Sequence, residues 1–123
     1  MKILIVEDED VLRKVLQGKF EEEKFQVSVA TDGESVLPLV KKIKPDIILL
    51  DLMLPKMDGL EVLSHLKDDP DIKSIPVIIM SNLDSDEKIK KGLSLGAVDY
   101  MVKTQHPINE VVEKVNEYIT KAR

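Results

Sequence analysis

Five residues that can bind a metal, carry charge or donate a hydrogen bond each follow a short apolar run of the sequence. They are Glu7 and Asp8 after the first run, Asp51 after the third, Ser81 after the fourth and Lys103 after the fifth. In an open parallel sheet, ligands bind outside the carboxyl ends of the strands, at the switch in strand order. If these runs are parallel strands, three carboxylates, a hydroxyl and an ammonium group converge on one edge of the sheet.

The chemistry expected of such a set starts from the three carboxylates. Carboxylates held a few ångströms apart repel each other, so at least one pKa rises or a cation lies between them. Because the ligands are all oxygens, the cation should be hard, and an incomplete cage with open water positions favours Mg²⁺ over calcium or zinc. Lys103 and Ser81 would then hold an anion that also touches the metal. A phosphoryl group on Asp51 meets that requirement.

Taken singly, each of these residues has an ordinary structural explanation. An acid after a strand is most often the N-cap of the next helix, a serine is most often a cap or turn residue, and a lysine is most often a solvated charge. The two histidines do not form a rival site, because His65 falls on a predicted helix and His106 in a loop. The functional interpretation therefore depends on the whole set.

The elements that must position this set alternate along the chain. Apolar, β-branched runs predict five strands, at 2–6, 26–30, 46–50, 75–80 and 98–102. The segments between and after them carry apolar residues at i, i+3, i+4 and i+7, which predicts five amphipathic helices. Runs 47–50 and 77–80 are apolar on both faces, as expected of central parallel strands. Right-handed crossovers then predict an α/β fold with a doubly wound five-stranded parallel sheet between two layers of helices.

Several residues are expected to mark the ends of these elements. Asp58 can cap the third helix, predicted at 59–67, and Gly96 can end the fourth, predicted at 86–95. Thr31, Asp32 and Gly33 follow the second strand and predict a turn with a helix cap.

The composition excludes several classes of protein. A chain of 123 residues with 43% hydrophobic and 33% charged residues is typical of one soluble globular domain. Without cysteine there is no disulfide, thiolate zinc site or iron–sulfur cluster. A net charge of −5 and an aromatic content of 3% argue against nucleic acid binding. Since no apolar run is long enough to cross a bilayer and no signal peptide is present, a cytoplasmic protein without membrane association is expected.

Four motifs together carry a resemblance to a known family. The chain resembles the receiver (phosphoacceptor) domain of two-component response regulators over about residues 2–119. The motifs are ILIVED at 3–8, DLMLPKMDG at 51–59, MS at 80–81 and GAVDYMVK at 96–103. The resemblance implies a (βα)5 flavodoxin-like three-layer sandwich with the strand order 2-1-3-4-5.

The resemblance also implies a role for each residue of the set. Its Mg²⁺ ligands would be the carboxylates of Glu7, Asp8 and Asp51 and the backbone carbonyl of Met53. Asp51 would accept a phosphoryl group from a phosphohistidine of a sensor kinase, with Lys103 and the metal neutralising charge on the transferring oxygens. Ser81 would bond to the attached phosphoryl group and Tyr100 would follow inward, which switches the surface of helix 4, strand 5 and helix 5. Such a domain is a phosphoacceptor in signalling and not an enzyme, although it would catalyse its own phosphotransfer and a slow autodephosphorylation.

Three positions depart from the family pattern. Thr104 follows Lys103 where the family usually has a proline with a cis bond before it. Asn82 is bulkier than the small residue that usually follows the hydroxyl position. Glu7 replaces an Asp that is often present and still supplies a carboxylate.

Two other functions are alternatives, of which the flavin-binding module has a similar topology. A flavin-binding module is one, but no Ser/Thr/Gly-rich phosphate loop follows the first strand, and the acidic loop there would repel a flavin phosphate. An aspartate-nucleophile phosphatase is the other, but such enzymes usually carry a second Asp two residues after the nucleophile, where this chain has Met53.

The expected extent and partners of the domain follow from the resemblance. Residues 1–123 are expected to form a single receiver domain with no output domain after it, either as a stand-alone regulator or as one domain of a longer protein. Its partners would be a sensor histidine kinase and an output protein or domain that the sequence does not name. The domain would be a monomer or a phosphorylation-dependent dimer.

Overall fold

A computed structural model describes residues 1–121 of the chain, in which strands and helices alternate. The strands are β1 (Lys2–Val6), β2 (Gln26–Ala30), β3 (Ile47–Leu50), β4 (Val77–Ser81) and β5 (Asp99–Val102). The helices are α1 (Asp10–Glu22), α2 (Val36–Ile43), α3 (Gly59–Asp68), α4 (Asp86–Ser94) and α5 (Ile108–Lys121). A short 3-10 turn, Lys103–Gln105, lies between β5 and α5. No helix within residues 1–121 has the length and apolar character needed to span a membrane.

The strands form one parallel sheet in the order β2-β1-β3-β4-β5. Ile48 of β3 lies beside Leu4 of β1 on one side and beside Val77 of β4 on the other. The strand order reverses direction between β1 and β3, so the carboxyl ends of these two strands flank the switch point. The predicted α/β architecture, including the strand order implied by the resemblance, is confirmed.

Each face of the sheet builds its own core, because successive side chains of a strand point to opposite faces. One core joins alternate strand residues such as Leu4 and Ile48 to α2 and α3, with Ile89 of α4 packed at its margin. The other joins Ile3 and Ile47 to α1 and α5. β3 and β4 are buried along their whole length, as is β1 after Lys2, which explains why these runs are apolar without alternation.

The fourth strand extends further toward the site than the sequence predicts. The prediction ended it at residue 80, whereas Ser81 is the last residue of β4 and pairs with Val102 of β5. The strand also begins later than predicted, at Val77, directly after Pro76, which has no N–H to donate. Ser81 is therefore held by the sheet and is completely buried.

The predicted cap of α3 and the predicted stop of α4 are present, whereas the N-cap of α2 is Ser35, which makes no side-chain capping hydrogen bond. Oδ1 of Asp58 accepts a hydrogen bond of 2.7 Å from the Leu60 N–H at the start of α3. Oδ1 of Asp32 accepts from the Ser35 N–H at 2.8 Å, just before α2. Gly96 follows α4 with a φ of +113°, a conformation that side chains with a Cβ rarely adopt. These ends fix where the connecting loops leave the sheet.

Candidate functional site

The main chains of the acidic residues are anchored by the sheet beyond the strand ends. The Glu7 N–H donates to the Ala30 carbonyl of β2 at 3.0 Å, and the Asp51 N–H donates to the Val6 carbonyl of β1 at 3.0 Å. The parallel hydrogen-bond ladder thus continues for one residue past β1 and past β3. Because these strands are neighbours, both carboxylates emerge on adjacent ladders at the same edge of the sheet.

The three predicted carboxylates come together in the structure. One carboxylate oxygen from each of Glu7, Asp8 and Asp51 lies within 4.8 Å of the others. Glu7 is 1% exposed and Asp51 is 4% exposed, whereas Asp8 is open to solvent. Within residues 1–121, these three carboxylates lie close enough together to hold a metal ion. The cluster is therefore buried at its base and open at its mouth.

Lys103 reaches back from the end of β5 to the buried base of the cluster. Its Nζ lies 2.7 Å from Oε1 of Glu7 and donates a hydrogen bond of 3.1 Å to Oδ2 of Asp51. The angles at Glu7 Oε1 are not those of a hydrogen bond, so that contact is an ion pair. One ammonium group faces three carboxylates, and the site retains a formal excess of two negative charges.

The electrostatics of the buried pair reflect this excess. Burial raises the pKa of Glu7, and the charge of Asp51 adds to that increase, while contacts with Lys103 and the Glu9 N–H oppose it. Burial by itself would lower the pKa of Lys103, but its close ion pair with Glu7 and the charge of Asp51 outweigh burial and raise it. Lys103 therefore stays charged, while burial disfavours the charged form of Glu7.

The donor set fits a hard divalent cation. It consists only of carboxylate oxygens, the ligands that Mg²⁺ prefers, and it carries uncompensated negative charge. Asp8 and Met53 line an open groove at the mouth of the cluster, which leaves positions for water. The Met53 N–H donates to Oδ1 of Asp51 at 3.2 Å and so ties the loop after β3 to the cluster.

Ser81 and Tyr100 meet at the main chain of Leu83. Oγ of Ser81 accepts a hydrogen bond of 3.3 Å from the Leu83 N–H, and the Tyr100 hydroxyl donates to the Leu83 carbonyl at 2.6 Å. The Tyr100 ring is 9% exposed and packs in the core beneath α4. The resemblance implies an inward movement of Tyr100 after phosphorylation, and in this structure the ring already lies inside. The movement itself stays a prediction.

Two supporting features escaped the sequence analysis. The Arg13 guanidinium of α1 donates to the carbonyls of Glu7 and Asp8, at 3.4 Å each, and so braces the acidic loop. The Gly33 N–H donates to the Pro55 carbonyl at 3.1 Å, which docks the loop after β2 on the loop after β3. A Cβ on Gly33 would lie 2.3 Å from the Met57 carbonyl oxygen, so only glycine fits. An arginine five residues after an acidic pair was a usable signal for the first feature, but no local pattern indicates the second.

The remaining departures lie at the margin of the site. Thr104 belongs to the 3-10 turn after β5, and no peptide bond within the described chain is cis, so Lys103 reaches the cluster with a trans bond after it. Nδ1 of His106 lies 2.6 Å from Oε2 of Glu110 on α5, and His65 lies on α3. Neither histidine belongs to the acidic cluster of Glu7, Asp8 and Asp51.

Comparison with known proteins identifies the family. A family model described as "Response regulator receiver domain" matches residues 3–116. The chain is 40% identical over 111 residues to "Response regulator PleD" of Caulobacter vibrioides, an alignment that covers 90% of this chain and 24% of PleD. The chain spans less than half the length of the curated relatives that it matches.

Solved receiver domains superpose closely on this fold. The receiver domain of the Francisella response regulator 1452 gives a TM-score of 0.90 at 34% identity, covering 99% of this chain and 98% of that one. The BeF3-activated receiver domain of Klebsiella pneumoniae RstA gives 0.89 at 28% identity, covering 97% of this chain and 98% of that one. The likeness therefore extends over nearly the whole chain.

The family match also corrects one prediction. The resemblance predicted that the domain catalyses a slow autodephosphorylation. That prediction is wrong, because the family match identifies a signalling domain and shows no phosphatase activity. Met53 and Leu83, both apolar, line the groove at the mouth of the cluster. The chain belongs to the response regulator receiver domains of two-component systems.

Proposed function

We propose that Asp51 is the phosphoacceptor of this domain and takes its phosphoryl group from a phosphohistidine of a sensor kinase. The observation that carries the proposal is the position of Asp51, which is buried at the end of β3 between two carboxylates and the Lys103 ammonium. An aspartate in this position is a poor structural choice, because a buried acid in an acidic cluster costs stability. A requirement for chemistry at that position explains it.

The transfer can be written as an in-line displacement at phosphorus. A carboxylate oxygen of Asp51 attacks, an oxygen–phosphorus bond forms, and the phosphorus–nitrogen bond to the kinase imidazole breaks. The electron pair of that bond leaves with the imidazole nitrogen. Little covalent assistance is needed, so positioning and charge neutralisation supply most of the acceleration.

The chain provides this neutralisation from two directions. Lys103, already 3.1 Å from Asp51, would move its ammonium onto an oxygen of the arriving phosphoryl group. Glu7, Asp8, Asp51 and the Met53 carbonyl would hold Mg²⁺, which neutralises charge on the phosphoryl oxygens when it is bound. The Ser81 hydroxyl would donate to a phosphoryl oxygen at the end of β4.

The hydrogen bonds of Ser81 and Tyr100 to Leu83 connect the phosphorylation site to the surface of the domain. If Ser81 turns toward a phosphoryl group, its hydrogen bond from the Leu83 N–H is lost and the Leu83 main chain is free to shift. The Tyr100 hydroxyl binds the carbonyl of that same residue, so its position and the surface of α4, β5 and α5 respond. The similar receiver domain of RstA is BeF3-activated, and beryllofluoride mimics a phosphoryl group, which supports activation of this domain by a phosphoryl group.

The cellular setting is part of the proposal. Residues 1–123 would form a single receiver domain, although residues 122 and 123 lie outside the described part of the chain. It would act in the cytoplasm with a sensor histidine kinase and pass the signal to an output protein or domain. It would not bind nucleic acid itself, and it would be a monomer or a dimer formed on phosphorylation.

Phosphotransfer from purified sensor kinases tests the proposal. A cognate kinase labelled on histidine with ³²P should pass the label to this chain as soon as the two proteins are mixed. Chelation of Mg²⁺ should abolish the transfer. The label on the chain should be lost in base, as expected of an acyl phosphate. Failure to take label from any kinase of the same organism, or transfer that is unchanged by chelation, would contradict the proposed reaction.

A further inference from the structure

Gly33, in the loop between β2 and α2, lies against the main chain of the loop that follows β3. A Cβ built on it would lie 2.3 Å from the carbonyl oxygen and 2.9 Å from the carbonyl carbon of Met57. Real Cβ atoms essentially never approach a heavy atom within 3.0 Å. Because these are main-chain atoms, no side-chain rotation relieves the contact, and a Cβ at this position is accommodated only if one of the two loops moves.

A hydrogen bond joins the same two loops. The Gly33 N–H donates to the Pro55 carbonyl at 3.1 Å, and that carbonyl also accepts from the Met57 N–H at 2.9 Å. Lys56, between these two residues, has a φ of 71°, which residues with a Cβ rarely adopt. A strained backbone of this kind persists where the surrounding structure holds it. Docking of Gly33 is such a contact, made at the tip of the loop.

The base of this loop carries part of the acidic cluster. The Gly59 N–H donates to the Leu52 carbonyl at 3.0 Å, which closes the base. Next to that closure, the Met53 N–H donates to Oδ1 of Asp51 at 3.2 Å. Since one residue separates Met53 from Pro55, a displacement of the tip reaches the Met53 main chain.

We propose that Gly33 is a positioning residue for the metal site: its docking on the loop after β3 holds the Met53 carbonyl where Mg²⁺ binding requires it. This inference rests on the proposed function, which counts that carbonyl among the metal ligands. Loss of a partner that orients a metal ligand typically lowers metal affinity by about 10–100-fold. The docking should therefore contribute to Mg²⁺ affinity as well as to stability.

An NMR titration of the backbone amides with MgCl₂, at constant ionic strength, measures the Mg²⁺ Kd of the folded protein. Gly33→Ala leaves the net charge unchanged, so a different Kd does not come from the electrostatics of the cluster. Gly96→Ala is the matched control. Gly96 also lies in a turn that fits a Cβ poorly, but this turn precedes β5, at the opposite edge of the sheet from the cluster. The control separates a general loss of stability from a loss of metal affinity.

The parent should bind Mg²⁺, Gly33→Ala should bind it about tenfold more weakly, and Gly96→Ala should bind it like the parent. An equal Kd in the parent and in folded Gly33→Ala would overturn the proposal. Absence of Mg²⁺ binding in the parent would reject the metal site itself, and this inference with it. The two failures are therefore distinguishable.

The parent provides a second test that does not require Gly33→Ala to fold. Coupling between two equilibria is reciprocal, so if docking favours Mg²⁺ binding, Mg²⁺ favours docking by the same factor. Hydrogen exchange of the Gly33 N–H should therefore slow by a comparable factor, about tenfold, in saturating Mg²⁺. The Lys73 N–H, which donates to the Asp69 carbonyl at 2.8 Å between α3 and β4, is the control amide and should not change. Exchange at Gly33 that bound Mg²⁺ leaves unaltered, or slows no more than at Lys73, would contradict the proposal.

Discussion

Lys103 and Glu7 form a buried ion pair, with Nζ of the lysine 2.7 Å from Oε1 of the glutamate. The same ammonium lies 3.1 Å from Asp51, so one cation serves two carboxylates that are 1% and 4% exposed. Without a bound metal, this lysine is the main compensation for a cluster that would otherwise repel itself. Arrival of a phosphoryl group on Asp51 would draw the ammonium away, and Glu7 would then depend on the metal.

Replacing Lys103 with methionine should destabilise the metal-free domain. Two buried carboxylates would lose their partner, which costs about 3 kcal/mol or more in the free energy of unfolding. Lys114→Met is the control, since its ammonium forms exposed pairs with Asp99 and Glu117 that are worth less than about 1 kcal/mol. Urea unfolding in chelator measures both variants.

The double variant Lys103→Met, Glu7→Gln separates loss of charge pairing from loss of packing. It should recover a large part of the stability, because one unpaired buried charge is removed together with its partner. Equal stability of the single and double variants would show that Glu7 does not depend on the ammonium.

Mg²⁺ should stabilise the folded domain. It would bind a preformed acidic site that the unfolded chain lacks, and at a hundredfold excess over Kd such linkage adds about 2.7 kcal/mol. Asp8→Asn should reduce the Mg²⁺-dependent rise in Tm at constant ionic strength, whereas Asp10→Asn should not, because Asp10 lies outside the cluster and pairs with Arg13. Identical melting curves with and without Mg²⁺ would reject the metal site.

Tyr100 should make the domain sensitive to alkaline pH. Burial raises the pKa of its phenol above the ordinary value of 10.0, so the unfolded chain loses this proton first as the pH rises. The stabilising contribution is complete below pH 10.0 and is lost as the pH climbs through the folded value. In a Tyr118→Phe background, Tyr100→Phe should flatten the decline of unfolding free energy above that pH. An unchanged slope would place the Tyr100 phenol in a solvent-like environment.

Replacing Gly18 or Gly96 with alanine should change the stability of the domain in opposite directions. Gly18→Ala should stabilise the domain by roughly 0.5–1 kcal/mol, because the helix is regular and the space is open. Gly96→Ala should destabilise it by about 1 kcal/mol or more, because φ is +113° and the new Cβ would lie 3.0 Å from Cγ of Lys67. Chemical unfolding compares the two, and a stabilised Gly96→Ala would refute the strained turn.

Much of the fold follows from local patterns in the sequence. The apolar runs of β1 and β2 coincide with the strands residue for residue, and Gly96 ends α4 as its type suggests. Ser81 was misplaced by one residue, because its inclusion in β4 depends on pairing with Val102 of a neighbouring strand. Pairing with a neighbouring strand decides where such a strand ends, and the hydrophobic periodicity of one segment carries no information about that pairing.

The candidate site divides in the same way. Convergence of Glu7, Asp8 and Asp51 could be predicted, since parallel strands bring their carboxyl ends to one edge. The closer approach of Lys103 to Glu7 than to Asp51 depends on side-chain conformation, and the inward position of Tyr100 depends on how closely α4 packs. Both are properties of the assembled core.

The central claim is that Asp51 accepts the phosphoryl group, and intact-mass spectrometry after incubation with acetyl phosphate and Mg²⁺ tests it most directly. Asp51→Asn is compared with the parent and with Asp58→Asn, a control in the same loop that keeps a side chain able to cap α3. The parent and Asp58→Asn should each gain one phosphoryl group per chain, while Asp51→Asn should remain folded and gain none. Stoichiometric phosphorylation of Asp51→Asn at the parental rate would contradict the assignment.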